Sequence, residues 1–183
     1  MRIGQKNITG TFAADQWIKI YENILTSAAT SVTISGLDGN TDQLYRLKVR
    51  VINGSGSTEA IKLQINNDTG NNYGYQDIDG TDSTAEVYRD TSRPWIDLSF
   101  YGPASGNLSF CDLLLHVKSG YVRTLISSEA NNITGTTVNV VSLVSWAWNN
   151  TADNITSLVI TASQTDGIGI GSSIELYKNK YKS

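Results

Sequence analysis

The chain is nearly devoid of the residues on which most redox and nucleophilic chemistry depends. Its 183 residues include one cysteine, one histidine, one methionine and two prolines. A lone Cys111 cannot close a disulfide within the chain, so nothing marks an oxidising compartment and the fold must rest on its core. Charge is sparse too: 17 % of residues are charged, against roughly 25 % in an ordinary soluble domain, and the net charge is −3. The basic stripe that nucleic acid or an anionic membrane surface requires is missing, which sets both aside as partners. No run of about 18 apolar residues occurs, and Met1 to Asn7 lack the apolar stretch of a signal peptide. The expectation is a soluble chain that carries no secretion signal. A surface so poor in charge suits a protein partly covered by copies of itself or by a partner.

Short polar side chains are abundant instead: 20 Ser, 19 Thr and 16 Asn, beside 16 Gly. Such side chains bond their own backbone, which weakens helices and favours turns and strands. The sequons at Asn7, Asn53, Asn67, Asn107, Asn132, Asn149 and Asn154 follow from this composition and read as turn chemistry.

Gln43 to Ile52 is the clearest strand. Tyr45, Leu47, Val49 and Val51 share one face, and Arg46, Lys48 and Arg50 the other. After the turn cluster Asn53 to Ser57 the alternation resumes at Ile61, Leu63 and Ile65, and the two runs read as a hairpin. Further strands are expected from Tyr73, over Trp95 to Tyr101, Leu108 to Val117, Tyr121 to Ile126, Val138 to Trp148, Ile155 to Thr161 and Ile174 to Tyr177. In Leu108 to Val117, Leu108 and Phe110 share one parity while Cys111, Leu113, Leu115 and Val117 share the other, which predicts a bulge near Phe110 to Asp112. About ten short antiparallel strands and no amphipathic helix predict an all-β fold, an antiparallel β-sandwich of jelly-roll type. Residues 31–183 form that sandwich, and residues 1–30 an N-terminal arm or an edge strand around Trp17 to Tyr21.

Candidate chemistry is thin. His116 lies between Leu115 and Val117, on the face opposite the apolar set, with no second histidine to complete a metal or general-base site, so it reads as an outward strand residue. Cys111 reads as a small core residue. A glycoside hydrolase would need two facing carboxylates, and Asp77, Asp79, Asp97, Asp112 and Glu175 are candidates without a distinguishing spacing. Asp38, Asn40 and Asp42 have the alternating oxygen spacing that opens a calcium loop. However, Gln43 stands where an EF-hand has glycine and Val49 where it has the bidentate glutamate, so a tight polar turn is the better account. Gly167-Ile168-Gly169-Ile170-Gly171 leads into a strand and not a helix, so it is no dinucleotide cradle and reads as a flexible entry into the last strand. Tyr73 and Tyr75 share a strand face, as do Trp146 and Trp148. These four are the candidate ligand- or subunit-contact residues: aromatics at i and i+2 could offer a platform to a sugar ring, though core or subunit-interface packing is the favoured reading. Trp148, followed by Asn149 and Asn150, is expected to be the more exposed.

The order of segments resembles a family of phage and prophage virion structural proteins with jelly-roll sandwiches. The resemblance lies in Ile34 to Asp42 leading into Tyr45-Arg46-Leu47, Leu63 to Asp68 followed by Asn72 to Gln76, Trp148 to Thr151 with Ile155 to Leu158, and Gly169 to Tyr177. It covers residues 25–178. It implies a protein of the virion head or tail, made in the host cytoplasm, that assembles as homo-oligomers, often trimers, without catalysis or cofactor. Its implied partners are itself and a capsid or tail protein, with a host glycan as a further candidate. A carbohydrate- or receptor-binding sandwich is the alternative function.

Overall fold

The computed structural model describes residues 17–102 and 106–179. In chain order the elements are β1 (Trp17–Ile24), β2 (Ser31–Ser35), a single helical turn α1 (Gly39–Asp42), β3 (Leu44–Ile52), β4 (Glu59–Ile65), β5 (Tyr73–Thr81), β6 (Thr84–Arg93), β7 (Ile96–Gly102), β8 (Leu108–His116), β9 (Arg123–Thr134), β10 (Thr137–Trp148), β11 (Ser157–Ala162) and β12 (Ser173–Asn179). The fold is all-β. An eight-stranded sheet in the order β1-β12-β3-β8-β9-β10-β5-β6 packs on a four-stranded sheet in the order β2-β11-β4-β7, with every pairing antiparallel.

The connectivity is that of a jelly roll. β1 pairs with β12, β2 with β11, β3 with β8 and β4 with β7, a nested set in which the ends of the chain meet first and the middle last. Two hairpins are inserted into this frame, β5–β6 between β4 and β7, and β9–β10 between β8 and β11. They pair with each other through β10 and β5 and extend the larger sheet beyond β8.

The core lies where the alternation of β3, β4, β8, β11 and β12 points inward, with Leu47, Val49, Leu63, Ile65, Leu113, Leu158, Ile160 and Leu176 all buried. Each such side chain contributes about 1.5–3 kcal/mol relative to exposure. Residues 17–24 form the outermost strand of the larger sheet, against β12; residues 1–16 of the expected arm, including Asn7, lie outside the described residues.

Three readings are corrected. β3 and β4 are not a hairpin: they lie in different sheets, because Asn53 to Ser57 turns the chain across the sandwich instead of back along the same sheet. Asn53 anchors that crossing, its side chain accepting from Ser55 N at 2.9 Å and donating to Ser57 O at 2.6 Å. The bulge near Phe110 to Asp112 is absent from β8, which alternates regularly with Cys111, Leu113 and Leu115 inward and Phe110, Leu114 and His116 outward. The register irregularity lies between Leu108 and Phe110, where two steps of β8 oppose three of β9. Gly167 to Gly171 is a site of close backbone approach: Gly169 N donates to Ile52 O at 2.7 Å, Gly54 N to Gly167 O at 3.1 Å, and Ile168 is fully buried between Ala29 and Asn53. A Cβ on Gly169 would meet Ile52 O at 2.6 Å, so glycine is needed there for space.

Candidate functional site

The two aromatic pairs meet. β10 and β5 run antiparallel in a register that sets Trp148 opposite Tyr73 and Trp146 opposite Tyr75. Tyr73 and Trp148 stack with ring centroids 6.2 Å apart, and Tyr75 and Trp146 tilt against each other at 4.7 Å. The ladder points into the protein: Tyr73, Trp146 and Trp148 are buried, and Tyr75 is half-buried against the core. Trp148 is therefore not the exposed member. The loop from Asn66 to Asn72 covers it, because Asp68 Oδ2 accepts from Trp148 Nε1 at 2.7 Å and Asp68 O accepts from Tyr73 Oη at 3.3 Å. Burial works to raise the Asp68 carboxyl, but bonds from Trp148, Asn72 and the Gly70 N–H together hold it below the usual carboxylate range.

Arg123, buried among these rings, was not singled out in the sequence. Its guanidinium lies 5.5 Å from the Trp148 ring and donates to the carbonyls of Tyr121, Asn150 and Asp153, tying the loop after β10 to the ladder. Arg93 and Trp95 form a second cluster, both donating to Asp97, at 2.6 and 2.9 Å, while Lys62 lies 3.9 Å over the Trp95 ring.

Asp38, Asn40 and Asp42 do not converge on a cation. Asp38 is the N-cap of α1, accepting from Thr41 N and Oγ1 and from Asn154 Nδ2; Asn40 Oδ1 accepts from Ser119 N; Asp42 accepts from Tyr45 Oη and Lys178 Nζ. Each oxygen set faces a different protein partner. Among the described residues, no group of three or more His, Cys, Asp or Glu side chains could hold a metal ion.

The acidic candidates separate by environment. Asp112 binds Arg46 through two bonds of 2.8 and 2.5 Å, and Glu175 accepts from the Tyr177 hydroxyl. Asp77 and Asp79 join a polar seam on the inner face of β9, β10 and β5, where register sets Glu129, Ser142 and Asp79 in one row. Burial pushes the Glu129 carboxyl up to about 8, against a 3.0 Å bond from Ser127 Oγ that works to lower it. Among the described residues, Asp79 Oδ1 and Ser142 Oγ are buried without a hydrogen-bond partner. All these side chains are at most 7 % exposed, which keeps a sugar ring from lying between the carboxyls. Cys111 is buried beside the seam, with its thiol pKa pushed up by burial, and His116 faces outward.

The outer face of the same strands, continued onto β8 and β6, exposes aliphatic and aromatic side chains among small polar ones. Phe110 and Leu114 on β8, Ile126 on β9, Val141 and Leu143 on β10, Ile78 on β5 and Val87 on β6 are all exposed. Nothing in the sequence alone marked this face, since β8 and β10 carry apolar residues on both parities. At one end it opens into a groove of about 600 Å³ floored by Gly74 and Ala147 and walled by Asn71, Gln76, Arg89, Asp90, Thr124 and Asn149.

No protein-family model matches the chain, and no curated protein matches it. Among solved structures it is similar to one described as the CBM2 module of Lactobacillus casei BL23 phage J-1 evolved Dit, at 11 % identity over 90 % of this chain and 78 % of that one, with a TM-score of 0.26. A superposition that loose leaves fold and function to be argued from this chain's own residues.

Proposed function

We propose that the chain is a non-enzymatic phage virion structural protein, a capsid-decoration or tail-associated jelly-roll module that self-associates and binds another virion protein. The carrying observation is the exposed apolar face of the larger sheet, a patch at the upper end of what monomers expose and of the kind that marks interaction sites. The ordered segments that resemble virion jelly rolls fall on the frame strands β2 to β4, β11 and β12 and on the β5 and β10 ladder, which supports the same reading. The candidate side chains are engaged in structure: the aromatic ladder is internal, Asp38 caps a helical turn, and Asp97 and Asp112 are held by arginines. The test is the solution mass by size-exclusion chromatography with light scattering, against 19.9 kDa for one chain. An oligomer, the trimer in particular, is the expected outcome; a monomer at every concentration would refute self-association.

One observation favours a second reading, a carbohydrate- or receptor-binding module. The groove beside Gly74 presents amide, carboxylate and guanidinium groups around a small-residue floor, which suits a hydroxyl-rich ligand. A glycan-binding screen tests it, with Gln76→Ala and Arg89→Ala expected to abolish any signal.

A further inference from the structure

We infer, resting on the self-associating reading above, that the outer face of β8, β9, β10 and β5 is the subunit interface, and that it is turned toward the same face of the neighbouring copies of this chain about their common symmetry axis. Register places its residues side by side. Leu114 lies opposite Ile126; Leu143 lies opposite Ile78, which lies opposite Val87; and Phe110, Ala130 and Val141 form a third row. None of the outward residues of β9 (Thr124, Ile126, Ser128, Ala130), β10 (Val141, Leu143, Ser145, Ala147) or β5 (Gly74, Gln76, Ile78, Gly80) is charged.

Charge returns along the border of β8 with β3, where Asp112 stands between Phe110 and Leu114 and Arg46, Lys48 and Arg50 lie opposite, and at Arg89 on the other side. A neutral centre inside a charged rim is the anatomy of a protein interface. Arg46 and Asp112 already satisfy one another within the protomer, Arg50 donates to Gly171 O, and Lys48 lies over the Tyr177 ring.

Seven aliphatic or aromatic side chains here are between 36 and 63 % exposed. Together they present roughly 500–600 Å² of apolar surface, most of the about 800 Å² per partner that a standard interface buries. A charged partner would leave its own charges unmatched at the centre. A sugar would meet Leu114, Ile126, Leu143 and Ile78 interleaved with the polar groups of Thr124, Ser128, Ser145 and Gln76. The same face of a neighbouring copy is similarly shaped and uncharged on β9, β10 and β5, and the groove of about 390 Å³ lined by Leu114, Ile126 and Leu143 together with Trp17 and the Arg46–Asp112 pair offers a recess for its side chains.

The experiment compares the full chain with Leu143→Asp and, as a control outside this face, Ile170→Asp in the exposed loop before β12. Both positions are exposed in the protomer, so thermal unfolding should show that each variant folds. The expected result is an oligomer for the native chain and for Ile170→Asp, with Leu143→Asp dissociating at least on the order of a hundredfold more readily, because each copy would bury an unpaired carboxylate near its counterpart. A native oligomer that Leu143→Asp leaves intact would overturn the assignment of this face while the structural reading stands. A native chain that is monomeric throughout a concentration series would overturn self-association itself, and this face with it.

Discussion

Trp148 lies directly across the sheet from Tyr73, stacked at 17° between ring planes, with its indole N–H held by Asp68. One contact thus joins the end of β10 to a segment distant in sequence, the start of β5 and the loop that precedes it. Tyr73 in turn donates to the backbone of β4, so the ladder ties the inserted hairpins to the jelly-roll frame.

Replacing Trp148 by Ala should therefore cost stability before it costs any ligand. The loss of a fully buried indole is expected to be about 3–5 kcal/mol, and Trp148→Phe, which keeps a ring but removes one of the donors to Asp68, about 1 kcal/mol. Urea unfolding followed by tryptophan fluorescence and circular dichroism would measure both. A Trp148→Ala variant as stable as the native chain would show that the ring does not anchor the loop.

The Glu129 carboxyl, raised to about 8 by burial, makes the native state a tighter proton binder than the unfolded chain. Its contribution is fully present below the ordinary glutamate value and is lost as pH rises through about 8, with a slope of about 1.4 kcal/mol per pH unit between. Glu129→Gln keeps the shape and removes the titration. It should be the more stable protein above pH of about 8, by a few kcal/mol, and should lack the fall in stability between pH 4.5 and about 8. Equal slopes for the two proteins in denaturant titrations across that range would contradict the assignment.

Arg123 holds three backbone carbonyls from inside the protein. Arg123→Met should destabilise by about 3 kcal/mol or more, since the carbonyls of Tyr121, Asn150 and Asp153 lose their donor together. Hydrogen exchange should quicken first in residues 149–154, ahead of the core strands. Uniform exchange across the chain would show that the arginine supports the whole fold and not that loop.

Two glycine substitutions separate space from backbone conformation. A Cβ on Gly167 would lie 2.0 Å from Glu59 Oε2, and Glu59 cannot swing away because its other oxygen accepts from Ser163 and Gln164. Gly36 has a φ of +74° and open space around it. Gly167→Ala is expected to cost about 2–3 kcal/mol and Gly36→Ala only about 1 kcal/mol, read from thermal unfolding.

Several elements were legible in the sequence for a local reason. The alternation of β3, β4 and β11 states which side chains are buried, because period-two burial is a property of each strand alone. β6 was not legible: nearly all its residues are exposed on both faces at the edge of the sheet, so no alternation exists to be seen. β2 was missed because only Val32 and Ile34 carry its pattern. Glu129 and Arg123 were missed because a charged residue in a strand reads as outward, and only the neighbours that desolvate or bond it show otherwise. Of the four aromatic candidates the sequence showed two pairs, and their union into one buried ladder depends on the register of β10 against β5.

By itself the sequence determined an all-β chain, the faces of its regular strands, and the absence of a disulfide framework or a second histidine. Those follow from composition and from the two-residue repeat of an extended backbone. Tertiary structure alone decided which strands pair, that β3 and β4 part into different sheets, and which apolar face becomes interior. In β8 and β10 both parities are apolar, so Leu113 and Val144 could exchange roles with Leu114 and Leu143 as far as hydrophobicity is concerned. The covering of one face by the rest of the sandwich breaks that symmetry, leaving Leu114, Ile126, Leu143 and Ile78 on the outside.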